Sequence, residues 1–432
     1  MCSATGSERR SASLTACRLP VLLFLLAVSP LAAQQDSTDS VPFKIRRADQ
    51  FLQRRDSTGA RTYLLHGDVL ITHEATTITC DRLIYYPDAG YFQCTGSVGV
   101  SGDERVLACD TLYYHLERGY YRALGGLQWS SRDIRGSGLQ GEYWRDRDLF
   151  RVTGDAFAAD STRELRSEQM EYDYGSEVLR AEGDVRFTND ESGSSAAATS
   201  AIYRSGDQLL VLRGRPVLTY YADDDSLRED AYNLTGDVVT SYGSDSLVSS
   251  GRVRLWQDSL TVTADSLFHD RTSDISYFRG GPPVLEHPDY SLSAAELDVI
   301  SKDRELERIE ATGDGRGEFW SGANGSTGAR EGEKYVSWIE GDSLRLFFSG
   351  GALDSIYATG SSRSYYQESA ESGVNYVQGG MILLVFENTL LQVVEVGGGG
   401  RGVYLPPDTG GVITAIPDSA GFSVQPDSVS PR

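Results

Sequence analysis

The side chains of this 432-residue chain that could carry acid–base or metal chemistry are five histidines and a large number of carboxylates. His66, His73, His115, His269 and His287 are scattered, and no HExxH pattern, nucleophile triad or Cys/His zinc spacing joins them to partners. Asp223, Asp224 and Asp225 offer oxygens of the kind calcium takes. That turn lacks the glycine and the spaced ligands of an EF-hand, so it reads as a solvated acidic loop. No carboxylate pair stands in a motif that assigns an acid and a base. The chain is expected not to be an enzyme and to need no cofactor or metal. With 62 Asp and Glu against 40 Lys and Arg, its net charge of −22 also argues against nucleic acid as a partner, since phosphate affinity needs cations in excess.

What remains is chemistry without bond making, the burial of apolar surface, and here the sequence is periodic. Gly67, Gly96, Gly125, Gly154 and Gly183 are spaced by 29; Gly214 follows after 31, Gly251 and Gly280 are again 29 apart, and Gly313 follows after 33. Tyr85, Tyr114, Tyr143 and Tyr172 keep the same period of 29. Around each Gly the even offsets are apolar, as in Leu65, Val69 and Ile71 or Cys94, Val98 and Val100. The odd offsets are mostly polar, as in Gln93, Arg122, Asp68 and Asp184. Alternation with period two predicts a strand with one buried face, and Gly in its middle predicts a bend or close backbone approach. Asp81, Leu83 and Tyr85 are read as one face of the second strand. Polar turns such as Pro87 to Gly90 join the two, and no convincing helical period occurs after residue 33.

The expected architecture is all-β, an elongated array of two-strand units that bury their faces only by stacking. The interior is expected to hold Val69, Ile71, Leu83, Tyr85, Val98, Val100, Leu112, Tyr114, Tyr143, Phe150, Met170, Tyr172, Val185 and Phe187, together with Phe92, Tyr121 and Leu127. Residues 61–220 form the regular block and 221–405 a degenerate continuation; 34–60 are a lead-in strand or linker. Gly397 to Gly400 and residues 406–432, rich in Pro, Asp and Ser, read as a disordered tail.

Residues 1–33 read as a signal peptide: Arg9, Arg10 and Arg18 precede an apolar run from Leu19 to Val28, and small residues end at Ala33. Retention as a membrane anchor is the other reading. Export allows disulfides, and Cys80, Cys94 and Cys109 lie beyond the leader. Cys80 and Cys109 hold equivalent positions, 29 apart, on the face taken to be opposite Tyr85. If equivalent strands are neighbours, they are the candidate disulfide, leaving Cys94 free on the buried face.

A G-D-V-x-[IF] strand paired with a D-x-L-x-Y strand, as in LLHGDVLITHEATTITCDRLIYY and from SEQMEYDY to RAEGDVRF, resembles the OstA-like family. That family comprises LptA-like proteins and the N-terminal domain of LptD, which serve lipopolysaccharide transport. The likeness is good over 61–215 and weaker to about 315. It implies a β-jellyroll whose interior positions become an acyl-chain groove, with Met170 and Tyr172 on its lining. It implies a periplasmic location, with association with the outer membrane, as a component of a bridge that carries lipopolysaccharide or a related acylated glycolipid. It also implies other bridge proteins and an outer-membrane barrel as partners, and end-to-end self-association. The chain is longer than LptA-like proteins and ends without LptD's barrel, so the barrel is expected on another chain. Two other readings are an exported structural or adhesive array, and a polysaccharide-active enzyme on a parallel β-helix. The latter's coils are usually shorter than 29 residues and would bring an acidic or basic catalytic cluster.

Overall fold

From Arg61 to Asn189 each strand is eleven to thirteen residues long and hairpins directly into the next, as in Arg61–His73, Thr76–Tyr86, Tyr91–Gly102 and Arg105–His115. This architecture comes from a computed structural model that describes residues 43–406, apart from 56, 58, 103–104, 191–192, 222–230, 244, 258, 303–304, 322–334, 368–371 and 388–389. The leader, Asp223 to Asp225 and the residues after 406 lie outside the described residues. Among the described residues 28 strands join one continuous antiparallel sheet, and the only helical pieces are the 3₁₀ turns Pro87–Ala89 and Arg145–Arg147. The antiparallel meander excludes a parallel β-helix.

Each long strand belongs to two layers. In Arg61–His73, residues 63–66 pair with 82–85 and residues 69–73 with 76–80; between them the register slips by one. Gly67 and Asp68 stand opposite the single residue Asp81, which is a β-bulge. Both bulge residues are left-handed, Gly67 at φ 78° and Asp68 at φ 42°. Glycine takes that conformation without cost, and Asp is among the few other residues that tolerate it. This explains the recurring Gly-Asp dipeptide. The same pair of left-handed residues recurs at Gly96/Ser97, Gly154/Asp155, Gly183/Asp184 and Gly251/Arg252. At every such corner the chain turns from one layer to the other, so 61–66, 82–86, 91–95 and 111–115 build the first layer. Residues 69–73, 76–80, 98–102 and 105–109 build the second.

The inner faces of the two layers meet as the core. Leu65, Val69, Ile71, Ile78, Leu83, Phe92, Cys94 and Leu112 are completely buried. The bulge also corrects the reading of the Tyr-bearing strands. Asp81 is exposed while Leu83 and Cys80 are both buried, because the corner shifts the alternation by one residue. Asp81 instead leans over Gly96 of the next strand, and Asp110 over Gly125.

Where the corner contains proline the strand is cut in two. Pro216 separates Leu209–Arg213 from Val217–Tyr221, and Pro282 and Pro283 separate Ile275–Arg279 from Val284–Glu286. Residues 43–55 form strands along Arg61–His73. Long strands return at Tyr335–Ser349, Ala352–Tyr366 and Val374–Glu387. Gly397 to Gly400, expected in a disordered tail, form another corner, between Leu390–Gly397 and Arg401–Leu405, with Gly398 and Gly399 left-handed.

Replacing Gly96 with Ala is expected to destabilise the protein by about 1–3 kcal/mol from backbone strain alone. The new Cβ would also collide with the Asp81 carboxylate. Adding Asp81→Ala should relieve the collision with the carboxylate but leave the strain and the close contact with the Cβ of residue 81, giving partial recovery. Urea unfolding measures both steps; an unchanged midpoint for G96A would rule out the corner as described.

Candidate functional site

The two layers are stitched together along the seam opposite the corners by side chains that reach across it. The His73 ring, at the end of one second-layer strand, bonds the Tyr114 hydroxyl of the first layer at 3.0 Å. Arg145 donates to the same hydroxyl at 2.7 Å and pairs with Glu74. Further along, Arg105 of the second layer donates to the Tyr143 hydroxyl at 3.1 Å and to Asp148 Oδ1 at 3.2 Å. Its guanidinium lies 3.7 Å from the centre of the Tyr174 ring, a stacked cation–π contact. Tyr143 in turn donates to Asp148 at 2.8 Å. Burial, and then the Asp148 carboxylate, push the Tyr143 phenol up to about 12. Burial and the hydrogen bond to Glu142 do the same for Tyr120, also to about 12.

Beyond this latch the interior is hollow. A cavity of about 890 Å³ lies between the layers from Trp129 to Gly243, and a smaller one of about 210 Å³ lies on the other side of Arg105, Trp129, Phe150 and Tyr174. Side-chain size explains where the hollow falls. Three inward positions of the Tyr-bearing strands read Ile78, Cys80 and Leu83, then Leu107, Cys109 and Leu112; these are large enough to fill the core. At the equivalent places in Ser195–Arg204 stand Ala196, Ala198 and Ala201, and all three line the large cavity. Ala158 and Ala159 face it from Leu149–Ala159. In Ile134–Trp144 the equivalents are Gly136, Gly138 and Gly141, but there Trp129, Val152 and Leu127 fill the space.

The expected interior residues therefore divide. Phe150, Met170, Tyr172, Val185 and Phe187 line the large cavity; Val100, Tyr114, Tyr143 and again Phe150 line the small one. Val69, Ile71, Leu83, Val98 and Leu112 are packed into solid core and line neither. Tyr85 is half-buried, edge-on to Phe43 at 5.0 Å. The interior is thus not the uniform trough that the repeat suggested. Trp129 and Ala158 stand four residues after Gly125 and Gly154 and so share the apolar face that the alternation predicts; Arg105, Tyr174 and the alanines of Ser195–Arg204 are outside that expectation. The run of small residues from Ser194 to Ala201 was a usable signal; Arg105 carried none. The walls are apolar, and charge is confined to the rim, at residues such as Arg132, Asp133, Asp160, Arg163 and Glu177. Among the described residues no group of His, Cys, Asp or Glu is placed to hold a metal ion.

The candidate disulfide between Cys80 and Cys109 is corrected: both are free, and so is Cys94. Both point into the core, on the same side as Leu83, because of the corner's shift. Equivalent strands are not neighbours either. Tyr91–Gly102, which carries Cys94, lies between them, so the two backbones stand roughly two strand spacings of ~4.8 Å apart. That exceeds the ~4.4–6.8 Å a disulfide spans. A hydrogen bond with Cys80, with burial, raises the Cys94 thiol well above its usual range; burial pushes Cys109 up to about 11.

No protein-family model matches the sequence, and no curated protein does. Among solved structures the chain is similar to LptH from Pseudomonas aeruginosa, described as the LptA-homologous periplasmic component of a lipopolysaccharide transport device. The identity is 18%, the TM-score 0.26, and the match covers 39% of this chain and 95% of that one.

Two outcomes are expected from these contacts. The thiols should resist alkylation in the native protein, and all three should be alkylated after unfolding without reductant, as intact mass would show. The seam latch should weaken in alkali. The Tyr143 phenol titrates higher folded than unfolded, so its contribution is complete below about pH 10. It is lost as pH rises to about 12. Thermal melts should show Tyr143→Phe less stable than wild type at pH 8, with the difference closing above pH 10; a constant difference would refute the latch.

Proposed function

We propose that the protein is an exported carrier that shelters the acyl chains of an amphiphilic lipid in the chamber between its two layers. In this reading the lipid is lipopolysaccharide or a related acylated glycolipid, passed toward the outer membrane by a bridge of which this chain is one component. The observation that carries the reading is the apolar cavity of about 890 Å³ inside the repeat core, opened by alanines at positions filled by larger side chains elsewhere. A structural or adhesive array has no use for such a void, which forfeits packing contacts on every side. The cavity falls within the ~300–1,000 Å³ range of small-molecule sites, and each methylene buried there contributes about 0.8 kcal/mol. No charged contact is required, which suits a protein of net charge −22 that would repel an anionic head group. The head group is then left at the rim and solvent, and the chains alone are enclosed. The resemblance to the OstA-like family agrees in fold and substrate class. The bridge partners and the periplasmic setting are part of the proposal.

A photo-crosslinker at Tyr172, inside the chamber, should label lipid in cells, whereas one at the outward-facing Arg180 should not. In vitro, Ala198→Phe should narrow the chamber and weaken binding of an apolar fluorescent probe by about tenfold or more, a change of ~1.4 kcal/mol. Equal labelling at the two sites, or unaltered probe binding in A198F, would sink the carrier reading.

A further inference from the structure

Both cavities are lined by the same four side chains, Arg105, Trp129, Phe150 and Tyr174, which therefore stand between them. Trp129 is the largest of these. Its indole lies against Gly136, where an added Cβ would collide with the ring, and it meets Phe150 edge-on with ring centres 5.5 Å apart. Its buried indole N–H has no hydrogen-bond partner among the described residues. Packing alone holds the ring in place, and buried Trp N–H groups ordinarily find partners. Above the ring, the Arg105 guanidinium stacked on Tyr174 closes the seam.

We infer that Trp129 and Phe150 form an end wall that sets the length of acyl chain the large chamber accepts. The inference rests on the carrier reading and adds a specificity determinant to it. The chamber is broad and apolar along its length, so successive methylenes gain alike until the chain meets the wall. Behind the wall lies the smaller cavity of about 210 Å³, bordered by Val100, Leu107 and Tyr114. Beyond that the core is solid, with Leu83, Cys94 and Leu112 completely buried. Thinning the wall therefore lengthens the accepted chain by a limited amount and does not open an unending channel. The Gly136 position matters for the same reason: it gives the indole the room to lie across the interior, where Ile78 and Leu107 occupy the equivalent space in earlier repeats.

The experiment is displacement of 1-N-phenylnaphthylamine from the purified full chain by saturated fatty acids of increasing length. In the wild type, affinity should rise about fourfold per methylene while apolar room remains, then level off at a break length. Trp129→Leu should move the break to longer chains, with affinity for the shorter ones little changed. Phe150→Leu, a milder change in the same wall, should move it in the same direction and serves if W129L does not fold. A break that stays in place in folded F150L or W129L overturns the wall while leaving the carrier reading intact. Failure of every fatty acid to displace the probe from the wild type overturns the carrier reading, and the wall with it.

Discussion

Two consecutive left-handed residues in the middle of a strand are the constraint on which the rest of this protein depends. A regular strand is straight and has one buried face; it can belong to one layer only. At Gly67 and Asp68 the backbone takes φ 78° and φ 42°, inserts one extra residue against Asp81, and redirects the strand into the facing layer. Repeated along the meander, that corner converts a single antiparallel sheet into two layers enclosing a shared interior. It also removes any need for long crossover connections, since hairpins suffice. The neighbouring side chain that leans over the corner Gly, Asp at Gly67, Gly96 and Gly125, Leu139 at Gly154 and Glu168 at Gly183, makes the position intolerant of a Cβ on steric as well as conformational grounds.

Corners close one side of the interior; the other side depends on side chains that span the seam. Here polar chemistry does what backbone pairing does elsewhere. His73 with Tyr114, Arg145 with Glu74, and Arg105 with Tyr143, Asp148 and Tyr174 tie the strand ends of one layer to those of the other. These groups lie at the edge of an apolar interior, where partial desolvation strengthens their hydrogen bonds. The large cavity begins beyond the last of these ties. The fold thus combines a sealed stretch and a hollow stretch on one repeating frame, and the difference between them is side-chain volume. Leu83 and Leu112 become Ala201 at the same inward place.

That volume difference matters energetically because protein interiors are packed as densely as organic crystals. A chain free to fill its core would gain dispersion contacts by replacing Ala196, Ala198 and Ala201 with larger residues. Keeping the space open forgoes that stability in a protein whose other repeats show that the frame accommodates Leu and Ile there. An apolar occupant would restore the lost contacts, and with no charged group in the deep walls it would be held by shape and hydrophobicity alone.

The sequence alone determined the strands, a bend at each repeated Gly and the apolar alternation around it. The Gly period of 29, the alternation around it and the Gly-Asp dipeptide are local backbone requirements, and local requirements are written in consecutive residues. Most of the expected interior residues are accordingly buried, from Val69 to Val185. The tertiary structure alone decided three things. The corner's one-residue slip turned Cys80 and Cys109 inward, and a strand lies between the two that carry them, which the 29-residue spacing could not reveal because it says nothing of which strands are neighbours. The seam contacts join residues such as Arg105 and Tyr143, 38 apart, whose meeting follows from layer closure and from no pattern in the chain. The hollow arises where alanines of Leu149–Ala159 and Ser195–Arg204 face it from separate strands. A void is a property of several side chains summed across a layer, so no single strand could announce whether its apolar face was core or chamber wall.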